Sequence, residues 1–96
     1  MNLRDLIDRD GRCIIPSRVT EIRNAEFQNC TKLTSIKIPS SVTKIGSSAF
    51  EGCTRLTSIE IPNSVTRIDV YTFYGCVGLT SIEIPNSVTE IAGSAF

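Results

Sequence analysis

The sequence lacks histidine and tryptophan altogether, and its aromatic side chains are four Phe and two Tyr in 96 residues. Without histidine the chain has neither the commonest general base nor the commonest zinc ligand. No run of apolar residues is longer than three, whereas a helix needs ~20 to cross a bilayer. We therefore expect no catalytic residues and no membrane insertion.

The chain also lacks an excess of charge of either sign, since ten Lys and Arg balance ten Asp and Glu. No strongly basic surface is expected, so nucleic acid is not a predicted partner. The charges are nevertheless unevenly distributed, with a net +3 in residues 1–48 and a net −3 in residues 49–96. Such a split favours head-to-tail contact between copies, most strongly at low salt.

What the chain does contain is a repeat of 23 residues, with the pattern T-S-I-x-I-P-x-S-V-T-x-I-x-x-x-x-F-x-x-C-x-x-L. A single copy cannot bury its own apolar side chains, so we expect the copies to stack as the coils of one solenoid domain over residues 1–96. Cys13 fills a slot that holds isoleucine in the other copies. The predicted parts are a half-coil with an insertion, three full coils and an incomplete fourth coil, in the order 1–10, 11–33, 34–56, 57–79 and 80–96.

Each copy begins with a strand pattern. In TSIKIP, at residues 34–39, isoleucines alternate with polar residues, which predicts a strand with one buried face. Pro39 ends that strand because proline has no N–H to donate. The S-V-T-x-I segment that follows is predicted to be extended, with Val42 and Ile45 turned inward.

The second half of each copy has a different spacing. Phe50, Cys53 and Leu56 lie three residues apart, which predicts one face of one or two short helical turns, partly 3-10. Gly52 lies among them, so a long helix is not expected. The predicted fold is an α/β solenoid with a parallel β-sheet on one side and short helical or 3-10 turns on the other.

The pattern I-x-I-P-x-S-V-T-x-I-x-x-x-A-F-x-x-C-x-x-L, most complete at Ile36–Leu56, resembles the BspA-type leucine-rich repeat. This resemblance implies a right-handed β/α solenoid without an active site. It also implies an extracellular or cell-surface protein that binds host or neighbouring-cell proteins. The first ten residues, MNLRDLIDRD, contain five charges and no apolar signal-peptide core, so the sequence itself leaves the compartment open.

The four cysteines are predicted to be structural. They lie 17, 23 and 23 residues apart without a C-x-x-C pair, so we expect no metal and no cofactor. Cys30, Cys53 and Cys76 are expected to stack as a column of reduced, inaccessible thiols, with a stray disulfide or a reactive thiol as alternatives. Asp8 and Asp10 resemble part of a calcium loop, but we interpret them as a turn before the first strand.

Two surfaces are candidates for protein contact. One is the concave face of the strands, where outward-pointing side chains form a strip that is either a recognition surface or simply a solvated sheet face. Ile14 stands out in this strip because it is apolar in an outward slot. The strip comprises Ile14, Ser35, Lys37, Ser58, Glu60, Ser81 and Glu83.

The other candidate surface is the pair of solenoid ends. The last coil stops at Phe96, and the opening MNLRDL reads x-x-L-x-x-L, so Leu3 and Leu6 match the slots that would follow Phe96. We expect Leu3 and Leu6 of one copy to meet Val88, Ile91 and Phe96 of another. In the alternative geometry the two leucines pack within their own chain on Phe27, Cys30 and Leu33.

The sequence therefore predicts a non-enzymatic protein whose partner is itself or another protein. In the first hypothesis it is a structural subunit that self-associates head-to-tail into a filament. In the alternative it is a binding or adhesion module, or a fragment of a longer surface protein, that uses the concave face. A third hypothesis is an engineered truncation that only folds.

Overall fold

The computed structural model describes residues 2–96, which wind into four stacked coils. Each of the first three coils has two short strands, and the fourth has one. The elements, in chain order, are a 3-10 helix at Leu3–Leu6 and strands β1 (Arg12–Ile14), β2 (Glu21–Ile22), β3 (Ser35–Lys37), β4 (Lys44–Ile45), β5 (Ser58–Glu60), β6 (Arg67–Ile68) and β7 (Glu90–Ile91).

All strand pairs are parallel and join positions 23 residues apart. Strands β1, β3 and β5 form one sheet in that order, while β2 pairs with β4 and β6 pairs with β7. In the three-stranded sheet Ile14 faces Lys37, which in turn faces Glu60. Residues paired across neighbouring strands are thus one sequence repeat apart, and the predicted parallel sheet is present. The S-V-T-x-I segments are extended only in part: each begins in a turn, where the N–H of Val42 bonds to the Pro39 carbonyl at 3.1 Å, and each ends in a strand of a second ladder, β4, β6 or β7.

The fourth coil departs from the repeat. Residues 81–83, which the pattern predicts to be a strand, are not a strand, and β5 is an edge of its sheet. Ile82 and Ile84 are only half-buried, whereas their counterparts Ile36 and Ile38 are buried. Within residues 2–96 this coil is packed on one side only, so it gains less from adopting the strand conformation.

Columns of identical side chains form the core. The rings of Phe27, Phe50, Phe73 and Phe96 stack with centroid distances of 5.3, 5.6 and 5.4 Å. The first three of these rings are buried, as the 23-residue spacing predicts. The other columns contain isoleucine, valine and leucine at equivalent slots, among them Ile22, Ile45, Ile68, Val42, Val65, Leu33 and Leu56.

The predicted helical turns are replaced by separate tight turns. The N–H of Cys30 bonds to the carbonyl of Phe27 at 3.1 Å, as in a 3-10 turn, but the N–H of Phe27 bonds to Ala49 in the next coil at 2.8 Å. Alternate amides are therefore used between coils and are not free for a helix. Positive φ at Ala25 and Asn29 also interrupts the helical conformation.

The N-terminal 3-10 helix lies over the first coil. Leu3 and Leu6 are half-buried and pack against the core. The Arg4 guanidinium donates hydrogen bonds to the Glu26 carbonyl at 3.1 and 3.2 Å, which ties the helix to the first turn. Both leucines thus pack on the core of their own chain, while the specific contacts with Phe27, Cys30 and Leu33, or with another copy, stay predictions.

The segment after this helix is a turn, as the IDRDG sequence predicts. The Asp8 carboxylate accepts the N–H groups of Asp10 at 2.8 Å and Arg12 at 3.0 Å. These hydrogen bonds, the one from Arg12 above all, lower the pKa of Asp8. Among residues 2–96, no helix is long and hydrophobic enough to span a membrane.

Candidate protein-interaction surfaces

The predicted strip lies on the outward face of the three-stranded sheet. The side chains at its centre form a column in which Ile14, Lys37 and Glu60 are neighbours across adjacent strands. Ile14 is 71% exposed, which is unusual for isoleucine, so most of its side chain is accessible to a partner. Ser81 and Glu83 are exposed too, but they lie beyond the edge of the sheet.

Beside the strip, coils three and four enclose a shallow groove of about 570 Å³. Its lining combines Glu60 and Glu83 with the Pro62 and Pro85 turns. Its polar groups are carboxylates and asparagine amides, so the groove is acidic. The structure therefore joins an apolar and basic region at Ile14 and Lys37 to an acidic region at Glu60 and Glu83.

The end of the last coil exposes apolar side chains that are buried elsewhere in the solenoid. Phe96 is 51% exposed and Ile91 is 52% exposed, although the same slots in the first three coils are almost inaccessible. Val88 is half-buried, whereas its counterparts Val42 and Val65 are fully buried. This end face, defined by Val88, Ile91 and Phe96, brings together three of the residues that the sequence predicts for end-to-end contact.

A third surface was not predicted from the sequence. On the turn side of coil three, Val70, Tyr71, Tyr74 and Val77 are exposed, the last of them by 77%. The two tyrosine rings meet edge to face with centroids 5.3 Å apart. The signal was present in the repeat alignment, because the same four slots hold Ser47, Ser48, Glu51 and Thr54 in coil two.

No disulfide joins the four cysteines within residues 2–96, and their side chains differ in exposure. Cys53 and Cys76 are buried, and their thiols donate to the carbonyls of Phe27 and Phe50, both at 3.1 Å. Burial raises the pKa of Cys53 to about 12 and that of Cys13 to about 11.

Cys30 departs from the predicted column of inaccessible thiols. It is half-buried and lines a groove of about 820 Å³ beside the N-terminal helix. The reason is that the first coil is covered by a four-residue 3-10 helix and not by a full coil. Burial still raises the pKa of Cys30, and the nearby Arg4 opposes that rise.

The hydroxyls of the S-V-T triplets are used between coils. Ser41, Ser64 and Ser87 each donate to the carbonyl of a valine in the preceding coil, at distances of 2.7, 2.5 and 2.7 Å. These serine hydroxyls therefore link each coil to the one before it. The charged residues of the second ladder also pair across coils, as Arg67 does with Glu90 at 2.7 Å.

A stack of parallel 23-residue coils with apolar columns is the architecture of a leucine-rich repeat protein. The family model for the BspA type leucine rich repeat region (6 copies) matches residues 11–96. The chain therefore belongs to the BspA-type leucine-rich repeat family. A search of curated proteins found no match.

Solved bacterial leucine-rich repeat structures are similar to this chain. One from Bacteroides ovatus is 42% identical with a TM-score of 0.86, over 88% of this chain and 24% of that one. A leucine rich cell surface protein from Faecalibacterium prausnitzii is 39% identical with a TM-score of 0.88, over 91% and 23%. A leucine rich repeat protein of T. pallidum is 34% identical with a TM-score of 0.82, over 88% and 42%. The chain thus spans about a quarter of the first two proteins.

Proposed function

We propose that this chain acts through protein–protein contact and that its end face docks on the N-terminal end of a second copy. The observation that carries the proposal is the half-exposure of Phe96, whose counterparts Phe27, Phe50 and Phe73 are covered by the next coil. Burying apolar surface of this kind on association is favourable by roughly 25 cal/mol per Å². Part of that gain is offset by the entropy lost on association.

The second copy would present its N-terminal 3-10 helix to this face. Leu3 and Leu6 are only half-buried on their own coil, so part of each side chain is free to contact Phe96 of the neighbour. The opposite net charges of residues 1–48 and 49–96 favour this orientation. Repetition of such a heterologous contact gives a filament unless the rotation closes a ring.

The proposal includes the right-handed winding that the family resemblance implies. End-to-end stacking would continue this winding from one copy to the next. It also includes a location at the cell surface. The support for that location is the BspA-type family and the similarity to a leucine rich cell surface protein.

The test compares two variants that each add a charge to an exposed isoleucine. Ile91→Asp changes the end face, and Ile14→Asp is the matched control on the strand face, with an even larger exposed fraction. Sedimentation velocity at several protein concentrations should show polymers of the unmodified chain and of the Ile14 variant, and monomers of the Ile91 variant. Polymers should weaken in 1 M salt, where charges are screened within about 3 Å.

A sharp monomer of the unmodified chain at every concentration would refute end-to-end docking. Polymers that survive Ile91→Asp but disappear on Ile14→Asp would move the contact from the end face to the strand face.

The second candidate function is binding of another protein on the concave strip. It is favoured by the exposed Ile14 in register with Lys37, since an apolar anchor beside charged side chains is a common arrangement in interfaces. If this function holds, Ile14→Asp abolishes partner binding while Ile91→Asp leaves it intact.

A further inference from the structure

The strip on the strand face has a fixed order of charge along the solenoid. In the first segment of each coil, at residues 11–20, 34–43, 57–66 and 80–89, the charged residues are Arg12, Arg18, Lys37, Glu60 and Glu83. Arg12 is already paired with Asp10 at 2.8 Å. This face is therefore basic on coils one and two and acidic on coils three and four.

Lys37 and Glu60 carry opposite charges on adjacent strands, but they do not pair. They face each other in the register of β3 and β5, and within residues 2–96 neither belongs to an ion pair. The second ladder behaves differently, since Arg67 pairs with Glu90 of the next coil at 2.7 Å. Both charges at the centre of the strip therefore remain available to a partner.

The exposure of the strip comes from the direction of its side chains and not from a missing coil. Lys37 and Glu60 lie on coils two and three, which have a coil on each side, and both are exposed. Ile14 fills the same outward slot in coil one and is 71% exposed. Ser35 and Ser58 precede the two charged residues on the same face, and their small side chains allow a partner to come close.

The spacing of the strip matches a helix better than an extended chain. Neighbouring strands lie about 4.8 Å apart, so the side chains of Ile14, Lys37 and Glu60 span about 9.6 Å. An α-helix across the strands rises about 1.5 Å per residue, which puts its positions i, i+3 and i+7 at about 0, 4.5 and 10.5 Å. Side chains on one face of an extended chain are about 6.8 Å apart, so the third would lie about 4 Å too far along.

The helix that fits this face belongs to another protein. Within residues 2–96 the one helix is the four-residue 3-10 helix at Leu3–Leu6, which is too short for this pattern and whose leucines already pack on their own core. Complementary charge then sets the order of the partner's side chains, because Lys37 attracts a carboxylate and Glu60 attracts a cation. The opposite order would bring like charges together and is disfavoured.

From these observations we propose that the strip binds an α-helix of another protein, which lies across the strands and presents an aliphatic side chain at i, a carboxylate at i+3 or i+4, and a cation at i+7. The aliphatic side chain packs on Ile14, the carboxylate pairs with Lys37, and the cation pairs with Glu60 beside the acidic groove of coils three and four. This inference rests on the second candidate function, binding on the concave strip, and is independent of end-to-end docking.

The probe is a phage library built on one fixed α-helical peptide, with positions i, i+3, i+4 and i+7 randomised. Helices selected on the original chain are then measured as synthetic peptides by fluorescence anisotropy. The decisive variant is the charge exchange Lys37→Glu, Glu60→Lys, which keeps the net charge and reverses the order; Lys37→Gln alone is a milder second variant. The matched control is Glu21→Lys, Lys44→Glu, which exchanges an ion pair of the second ladder.

We expect the selected helices to combine Leu, Ile or Val at i with Asp or Glu at i+3 or i+4 and Lys or Arg at i+7. Their affinity should fall by about tenfold on the charge-exchange variant, fall on Lys37→Gln as well, and stay unchanged on the control. The charge-exchange variant should itself select the opposite order.

The proposal is overturned if no helix is enriched, or if the enriched helices bind the charge-exchange variant equally well. In the latter case, Ile14→Asp separates the two levels of the argument. Loss of binding on Ile14→Asp would leave the strip as a protein-binding face without the proposed charge order, whereas unchanged binding would refute the strip itself.

Discussion

Truncation of the central phenylalanine is the sharpest test of the stacked core. Phe50 is fully buried between the rings of Phe27 and Phe73, at 5.3 and 5.6 Å. Phe50→Ala removes a ring from a site that neighbouring coils cannot fill without breaking their own hydrogen bonds. The expected loss is about 3–5 kcal/mol in the free energy of unfolding.

This loss is large for a chain of 96 residues, whose whole stability is about 5–14 kcal/mol at ~0.05–0.15 kcal/mol per residue. The matched control is Phe96→Ala, because Phe96 stacks on one neighbour only and is half-exposed. We expect the control to lose less than half as much. Urea denaturation followed by circular dichroism, at a concentration where the chain is monomeric, measures both.

Equal losses for the two variants, or a loss below 1 kcal/mol for Phe50→Ala, would contradict the stacked column. Loss of all secondary structure on Phe50→Ala, with Phe96→Ala still folded, would agree with it.

Three further outcomes are expected. Gly11→Ala should cost about 2 kcal/mol in stability, because Gly11 has φ +81° and a Cβ would overlap the Lys32 carbonyl. The control Gly93→Ala has open space for its Cβ and should leave stability unchanged, as paired thermal melts would show. In native protein a thiol reagent should label Cys30 first and Cys53 only on unfolding, so rapid labelling of Cys53 would refute its burial. Burial raises the pKa of Cys53 from 9.0 to about 12, so its thiol ionises at lower pH in the unfolded chain than in the folded one. Stability should therefore fall as the pH rises from 9 towards 12. In a series of thermal melts, Cys53→Ala should show a smaller fall over the same pH range.

The strand side of the molecule follows closely from the sequence. In a solenoid, neighbours in space are the same slot one repeat away, so the 23-residue period is enough to place Ile14 beside Lys37 and Phe27 beside Phe50. The outward direction of the strip follows from the alternation within each strand.

The turn side follows less well. The spacing of Phe50, Cys53 and Leu56 fits a helical turn, but the spacing does not say which carbonyl each amide bonds. The structure uses the N–H of Phe50 for the Thr72 carbonyl of the next coil, at 2.9 Å. That contact between coils competes with the helix and replaces it.

The sequence by itself determined the repeat, its inward columns and the family. Only the tertiary structure decided how far each side chain is covered, because coverage depends on what lies on both sides of a coil. It placed Leu3 and Leu6 on the first coil, left Cys30 half-exposed under a four-residue helix, and exposed Tyr74 and Phe96. Periodicity defines which face a residue points to, whereas burial also requires a neighbour on that face, and within residues 2–96 that neighbour differs between the inner coils and the two outermost coils.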